Sequence, residues 1–216
     1  MNKKEDAQLD SYATHMFTPQ VRAEQDKVNK GQMFEKVYEN RLRSPLDANT
    51  QEFIRTRDSF YMATVSESGW PYVQHRGGPR GFLKLIGPRH IGFADYVGNK
   101  QFISKGNLKT HDRVSLILMD YPAKARLKII GHATVKEATD DTTLCETLRQ
   151  NDAPLPERLV TIELVAIDWN CPKYITPRFN QKEIDDMLGP EFQRLGERID
   201  ELESRLDQVD PGWREP

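Results

Sequence analysis

Ser59-Phe60-Tyr61-Met62-Ala63-Thr64-Val65, Ser66-Glu67-Ser68-Gly69 and Trp70-Pro71-Tyr72-Val73-Gln74-His75-Arg76-Gly77-Gly78-Pro79-Arg80-Gly81-Phe82-Leu83-Lys84 follow one another without interruption. Two β-branched and aromatic runs flank a short polar turn, so Tyr61–Val65 and Tyr72–Arg76 read as a β-hairpin. The second run delivers a histidine and an arginine into a Gly-Gly corner, and an apolar strand leaves it. Glycine has no Cβ and arginine offers a planar fork of donors, so such a corner lets backbone approach a bulky ligand while a guanidinium meets an anion. It reads as the centre of a site for a phosphate-bearing cofactor.

Outward from this stretch the strand pattern continues. Phe82–Ile86 and His90–Ala94 are short strands around Gly87-Pro88-Arg89. Gly98 to about Lys109 allows a helix. Arg113–Met119 is an almost continuously apolar strand, of the kind buried on both faces. Residues 125–136 alternate, with Leu127, Ile129, Gly131, Ala133 and Val135 on one face and Arg126, Lys128 and His132 on the other. Thr139–Asn151 reads as a small helix whose N-terminus is favoured by Asp140 and Asp141, and Arg158–Trp169 as a long final strand. At least six strands joined by hairpins, with no βαβ rhythm, predict an antiparallel barrel rather than a doubly wound sheet.

The flanks differ from this centre. Residues 1 to about 12 are polar and read as disordered. Pro19 to about Leu42 carries a helical pattern through Val21, Val28, Met33, Phe34 and Val37, with Gly31 a candidate break. A second helix is expected around Thr50–Arg57, with Phe53 and Ile54 facing a core, the whole forming a lid or brace. At the other end Leu188, Phe192, Leu195, Ile199, Leu202, Leu206 and Val209 step by 4, 3, 4, 3, 4 and 3, a heptad stripe. It reads either as a coiled coil between two chains or as an amphipathic helix on its own barrel. The expected organisation is an N-terminal helical extension over 1–58, a barrel over 59–180 and a C-terminal helix over 181–216.

Composition narrows the function. Over 216 residues, 31 Lys and Arg against 33 Asp and Glu leave a net charge of -2, which recommends neither a nucleic-acid groove nor an anionic membrane surface. Two cysteines, Cys145 and Cys171, have neither metal-ligand spacing nor the density of a disulfide scaffold, which fits a reducing compartment. His15, His90, His111 and His132 stand singly, so no metal site is expected. No apolar h-region and no membrane-spanning run is present, and a cytoplasmic protein is the expectation. There is no Gly-x-Ser-x-Gly elbow and no Walker-type phosphate loop.

Two cations stand beside glycines: Arg76 at a strand end and Lys100 in Tyr96-Val97-Gly98-Asn99-Lys100, at the expected start of a helix. A strand-end Arg, a Lys and the free N–H groups of a helix start suffice to hold a phosphate dianion. The alternative is that both are solvated surface charges.

The segment from Arg57 to Gly131 resembles the pyridoxamine 5′-phosphate oxidase-like family of FMN-binding split barrels. The likeness rests on Tyr61–Val65 before Gly69-Trp70-Pro71, the strand ending in Arg76, Gly98-Asn99-Lys100, the strand Val114–Met119 and Arg126-Leu127-Lys128-Ile129-Ile130-Gly131, and extends over roughly residues 50–180. The resemblance implies a mainly β, α+β fold: an antiparallel six-stranded split β-barrel with flanking helices and helical extensions at both ends. It also implies a homodimer with FMN at the interface. Matched by position, Arg76 and Lys100 grip the phosphate, and His75, Gly77 and Gly78 run beside the ribityl chain and ring edge. Asp95 and Tyr96 fall where the family has a Thr-containing pair, and Asn99 replaces a usual Arg. Arg126 replaces a common flavin-contacting Gln, where a cation would favour the reduced flavin. Trp169, at the end of the final strand, is either core or a group reaching the partner's flavin; Cys171 beyond it is redox-active or an inert thiol.

The oxidases of vitamin B6 carry an Arg-x-His element soon after the corresponding Trp, and this chain has none there. The resemblance therefore implies an FMN-dependent oxidoreductase acting between an unidentified small molecule and FMN, not on pyridoxamine phosphate. The other readings are a flavin-binding carrier or sensor without turnover, or a barrel holding haem or a deazaflavin. The flavin supplies the redox chemistry, so no acid–base triad is needed.

Overall fold

A computed structural model of the chain describes residues 8–34, 46–151, 153–169 and 172–213. In chain order the elements are β1 (Asp10–Ser11), α1 (Tyr12–Met16), α2 (Pro19–Lys27), α3 (Ala48–Arg55), β2 (Ser59–Val65), β3 (Pro71–Gly77), β4 (Lys84–Gly87), β5 (His90–Asp95), α4 (Ile103–Thr110), β6 (Arg113–Asp120), β7 (Ala125–Glu137), α5 (Thr142–Leu148), β8 (Arg158–Trp169) and α6 (Gln181–Val209). The fold is α+β, built on one sheet in the order β3-β2-β6-β7-β8-β5-β4, every neighbouring pair antiparallel. β1 joins β8 in parallel.

The sheet is a split barrel, and its register shows the stagger that tilted barrel strands require. Arg76 pairs with Phe60, Phe60 with Leu118, Leu118 with Leu127, and Leu127 with Trp169. Across the seam, however, Arg76 meets Asp95, and Asp95 pairs with Arg158. Trp169 and Arg158 lie eleven residues apart on β8 (169 − 158), so following one row around the barrel returns to the same strand far along its length.

The β2–β3 hairpin turns at Gly69, whose φ of 88° places it in the left-handed region that a side chain disfavours. Alternation along β2 puts Phe60, Met62 and Thr64 inside. Phe60 stacks on Phe82 at 5.7 Å and meets Phe93 edge-on at 5.4 Å, in a core shared with Leu116, Leu118, Leu127, Ile129 and Ile162. Burying each such side chain contributes about 1.5–3 kcal/mol. Gly78 is fixed by this packing: a Cβ there would lie 2.8 Å from Phe82 Cβ and Cγ.

α3 closes one end of the barrel. Asp47 caps it, its Oδ1 accepting from the Thr50 N–H at 2.7 Å. Ile54 is fully buried and Phe53 packs on the core, as the apolar spacing predicts. Arg57 then ties α3 to the end of β6, donating to Met119 O at 2.9 Å and to Asp120 Oδ2 at 2.7 Å.

Several local expectations are corrected. Leu9 is buried and Asp10–Ser11 pairs with β8, so residues 9–11 belong to the fold, while residues 1–7 lie outside the described residues; a single apolar residue and two strand positions leave no periodic signal. α2 ends at Lys27 and helix resumes at Gly31, with the break at Asn29, whose φ is 54°; Val37 and Leu42 lie outside the described residues. α2 buries none of its residues. The strand expected at Phe82–Ile86 runs Lys84–Gly87, since Phe82 and Leu83 are spent on the corner and the core. The helix expected from Gly98 begins at Ile103, because Lys100 and Phe102 both adopt positive φ and hold the preceding loop out of helix. The helix expected over Thr139–Asn151 is a 3-10 turn, Ala138–Asp140, followed by α5, with Asp141 as N-cap.

Residues 121–123 and 174–213 form a second compact unit. Its helix α6 spans 29 residues, opens with a capping box between Asn180 and Glu183, contains Pro190 and buries no residue. Among the described residues no helix is long and apolar enough to cross a membrane.

Candidate functional site

β3 is an edge strand on which Tyr72, Gln74 and Arg76 alternate with the more exposed Val73 and His75. The first three line a cleft of about 70 Å³, together with Asp95 and Tyr96 from the end of β5, the loop Gly98–Phe102, the first turn of α4 and Arg158 from the start of β8. Two side-chain bonds hold α4 against the hairpin: Ser104 Oγ donates to Gln74 Oε1 at 2.8 Å, and Asn107 Nδ2 donates to Thr64 Oγ1 at 2.9 Å.

Asp95 organises the cations. Its Oδ1 accepts from Arg76 Nη1 at 2.6 Å and its Oδ2 from Arg158 Nε at 2.9 Å. Arg158 also pairs with Glu157 at 2.8 Å and lies over the Phe102 ring. Burial pulls the Arg158 pKa down, but its bonds to Asp95 and Glu157 outweigh that and leave it above the ordinary value. Lys105 bonds Glu137 at 2.5 Å, which holds that exposed carboxyl below its usual range.

Two donor groups in the cleft are uncommitted. Arg76 Nε is buried without a hydrogen-bond partner. The N-cap of helix α4 is Phe102, which is left-handed and offers no side-chain cap, so the first-turn N–H groups and the positive end of the helix dipole at the cleft are uncapped. With Lys100 and Lys105 alongside, the donor set fits a phosphate dianion.

The residues named from sequence separate into two groups. Arg76, Asp95, Tyr96, Asn99 and Lys100 come together in the cleft. Asn99 Oδ1 accepts from the Gln101 N–H at 3.2 Å, shaping the loop, and Tyr96 Oη accepts from the Gln150 N–H at 2.9 Å. His75 takes the opposite side of β3 from Arg76 and meets the Tyr61 ring at 5.5 Å. Gly77 and Gly78 follow it at the corner. Arg126, with a buried unpartnered Nε, stands opposite Met119 on β7. Trp169 is at the far end of β8 from Arg158, where its Nε1 donates to Thr50 Oγ1 at 3.2 Å and its ring meets Phe53 at 4.7 Å. Cys171 lies outside the described residues.

Gln74, Ser104 and Arg158 are cleft residues that the sequence reading did not name. Gln74 was within reach of it, being two residues before Arg76 on the same strand face. Arg158 was not, since only the β5–β8 register brings it beside Asp95.

Among the described residues no group of three or more His, Cys, Asp or Glu could hold a metal ion. No curated protein matches the sequence. Among solved structures, HupZ of Group A Streptococcus is 12% identical, over 62% of this chain and 98% of that one, with a TM-score of 0.47. General Stress Protein 26 of Bacillus anthracis is 16% identical over 60% and 92%, at 0.42. An FMN-binding protein of Syntrophomonas wolfei is 14% identical over 65% and 96%, also at 0.42. The family model described as pyridoxamine 5′-phosphate oxidase matches residues 46–168, from the cap of α3 to the end of β8 and more than half of the chain. By that match the chain belongs to the pyridoxamine 5′-phosphate oxidase family.

Proposed function

We propose that this protein binds FMN with its phosphate in the Arg76–Lys100 cleft and works as an FMN-dependent oxidoreductase on a small molecule. The observation that carries the reading is the pairing of a buried, unpartnered Arg76 Nε with an uncapped helix start in one cleft. Family membership supports the same ligand. When bound, FMN supplies hydride and electron transfer. Arg76 and Lys100 hold the phosphate by charge-assisted bonds, Ser104 and the first-turn N–H groups of α4 complete its shell, and Asp95 keeps both arginines aimed. Gln150, through Tyr96, fixes the wall beside them.

The reading includes a homodimer with FMN between subunits. Tyr61, Val65, Val73 and Ile117 form an exposed apolar patch on neighbouring strands β2, β3 and β6, a surface that a second copy would cover. It also includes a reducing, cytoplasmic setting, which suits the free thiol of Cys145. The absence of an Arg-x-His element after Trp169 argues for a substrate other than pyridoxamine phosphate.

The absorption spectrum of purified protein, with the mass of whatever copurifies, tests the cofactor: flavin bands and the mass of FMN are expected, and a haem or deazaflavin spectrum contradicts it. Bleaching by NADH, NADPH or an amine donor is expected of an enzyme. A flavin that none of these reduces supports a binding protein instead.

A further inference from the structure

We propose that α6 pairs with the α6 of a second copy of this chain as a parallel, in-register two-stranded coiled coil. Its apolar stripe places Phe192, Ile199 and Leu206 at heptad position a and Leu188, Leu195, Leu202 and Val209 at position d. These seven side chains are exposed on a helix that buries none of its residues. From Leu188 to Val209 the stripe runs about 32 Å at 1.5 Å per residue. Leucine fills three of the four d positions and Ile199 one of the three a positions, and leucine at d with a β-branched residue at a favours two strands.

Charge selects the orientation. In a parallel pair each g residue faces the e′ residue five positions on in the other helix, which sets Arg198 against Glu203, an attractive pair that the two-fold repeats. In the antiparallel alignment that keeps a against d, Leu202 faces Phe192 and the two copies of Arg198 face each other. That alignment also sets Glu191 against Arg205 twice, so both orientations carry attractive pairs and the parallel one is favoured by being free of the Arg198 repulsion.

A glycine points the same way. Gly189 has a local reason, since it precedes Pro190 and a Cβ before proline is disfavoured in a helix. Gly196 occupies an e position beside the stripe, and among the described residues a Cβ there would meet nothing within 4 Å. Glycine inside a helix is less stable than alanine, and in the parallel pair position 196 faces position 191 of the second copy, where the missing Cβ leaves room for the glutamate side chain.

The test uses the full chain with Leu202→Cys, oxidised mildly, with disulfide-linked peptides mapped by mass so that links through Cys171 are separated. A link joining position 202 of one chain to position 202 of another is expected. Its yield should fall roughly five- to tenfold when Arg198→Glu is added, because attraction becomes repulsion on both sides of the pair, and recover in the Arg198→Glu/Glu203→Arg combination. Within one helix residues 198 and 203 are not neighbours, so recovery reports a contact between chains. Absence of the 202–202 link, or no recovery in the combination, overturns the proposal. Flavin content measured on the same samples reports separately on the cofactor reading.

Discussion

Arg76 Nη1 lies 2.6 Å from Asp95 Oδ1, and this ion pair joins the edge strand β3 to the end of β5 across the seam of the barrel. The same carboxylate holds Arg158, so one acid keeps two arginines at the mouth of a cleft that also contains Lys100. Removing the acid sets those cations against each other. Asp95→Asn should lose about 1.5–3 kcal/mol of stability, the range for hydrogen bonds to charged groups. Inorganic phosphate should restore part of it by taking the carboxylate's place, which thermal melts with and without phosphate would read. A melting temperature of Asp95→Asn indifferent to phosphate contradicts an anion site there.

The Gly-Gly corner is built by packing as well as by any ligand. In Gly78→Ala the new methyl would press on Phe82, whose ring stacks on Phe60 in the core. Overpacking of this kind costs about 1–3 kcal/mol, which denaturant unfolding should register. A neutral result would mean that the corner relaxes freely.

Asp47 links acid stability to the helix that closes the barrel. The Thr50 backbone N–H, then the Thr50 hydroxyl, hold the Asp47 carboxyl below its ordinary pKa. A pKa lowered on folding contributes stability above the unfolded value, about 3.9 for Asp, and loses it as the pH falls through the folded value. Asp47→Ala should therefore be less stable by about 1 kcal/mol at neutral pH. The gap should narrow below about pH 4, measured as denaturant midpoints across pH; a constant gap contradicts the cap's charge dependence.

Arg126, opposite Met119 on β7, carries a buried Nε with no hydrogen-bond partner, and a flavin lying against β7 would meet its cation. Arg126→Gln should lower the reduction potential of bound flavin with little loss of FMN. Spectroelectrochemical titration of both proteins would show it, and equal potentials would remove Arg126 from the flavin's surroundings.

Much of the barrel was legible because its strands carry local signals. β2 and β8 combine β-branched residues with alternation, and Ser66–Gly69 announces a turn. β6 was misread as buried on both faces: Val114, Leu116 and Leu118 are buried but Ile117 is exposed on the other face, because an apolar run does not show which face the sheet covers. The cleft was half legible. Arg76 and Lys100 stand out beside glycines, but their neighbours depend on register: Arg158 reaches Asp95 only through the β5–β8 ladder, sixty-three positions along the chain. The start of α4 was misplaced because positive φ at Lys100 and Phe102, neither a glycine, leaves no mark in the residue types. Trp169 was ambiguous for a similar reason, since its partners Thr50 and Phe53 come from a helix more than a hundred residues earlier.

The central claim is that the Arg76 cleft holds the phosphate of FMN, and riboflavin, which lacks that phosphate, isolates it. Apoprotein and its Arg76→Ala variant would each be titrated with FMN and with riboflavin, following flavin fluorescence. Loss of the charge-assisted contact should weaken FMN binding about ten- to hundredfold while riboflavin affinity stays unchanged. Equal FMN affinity in the two proteins, or an equal loss for both ligands, would contradict it.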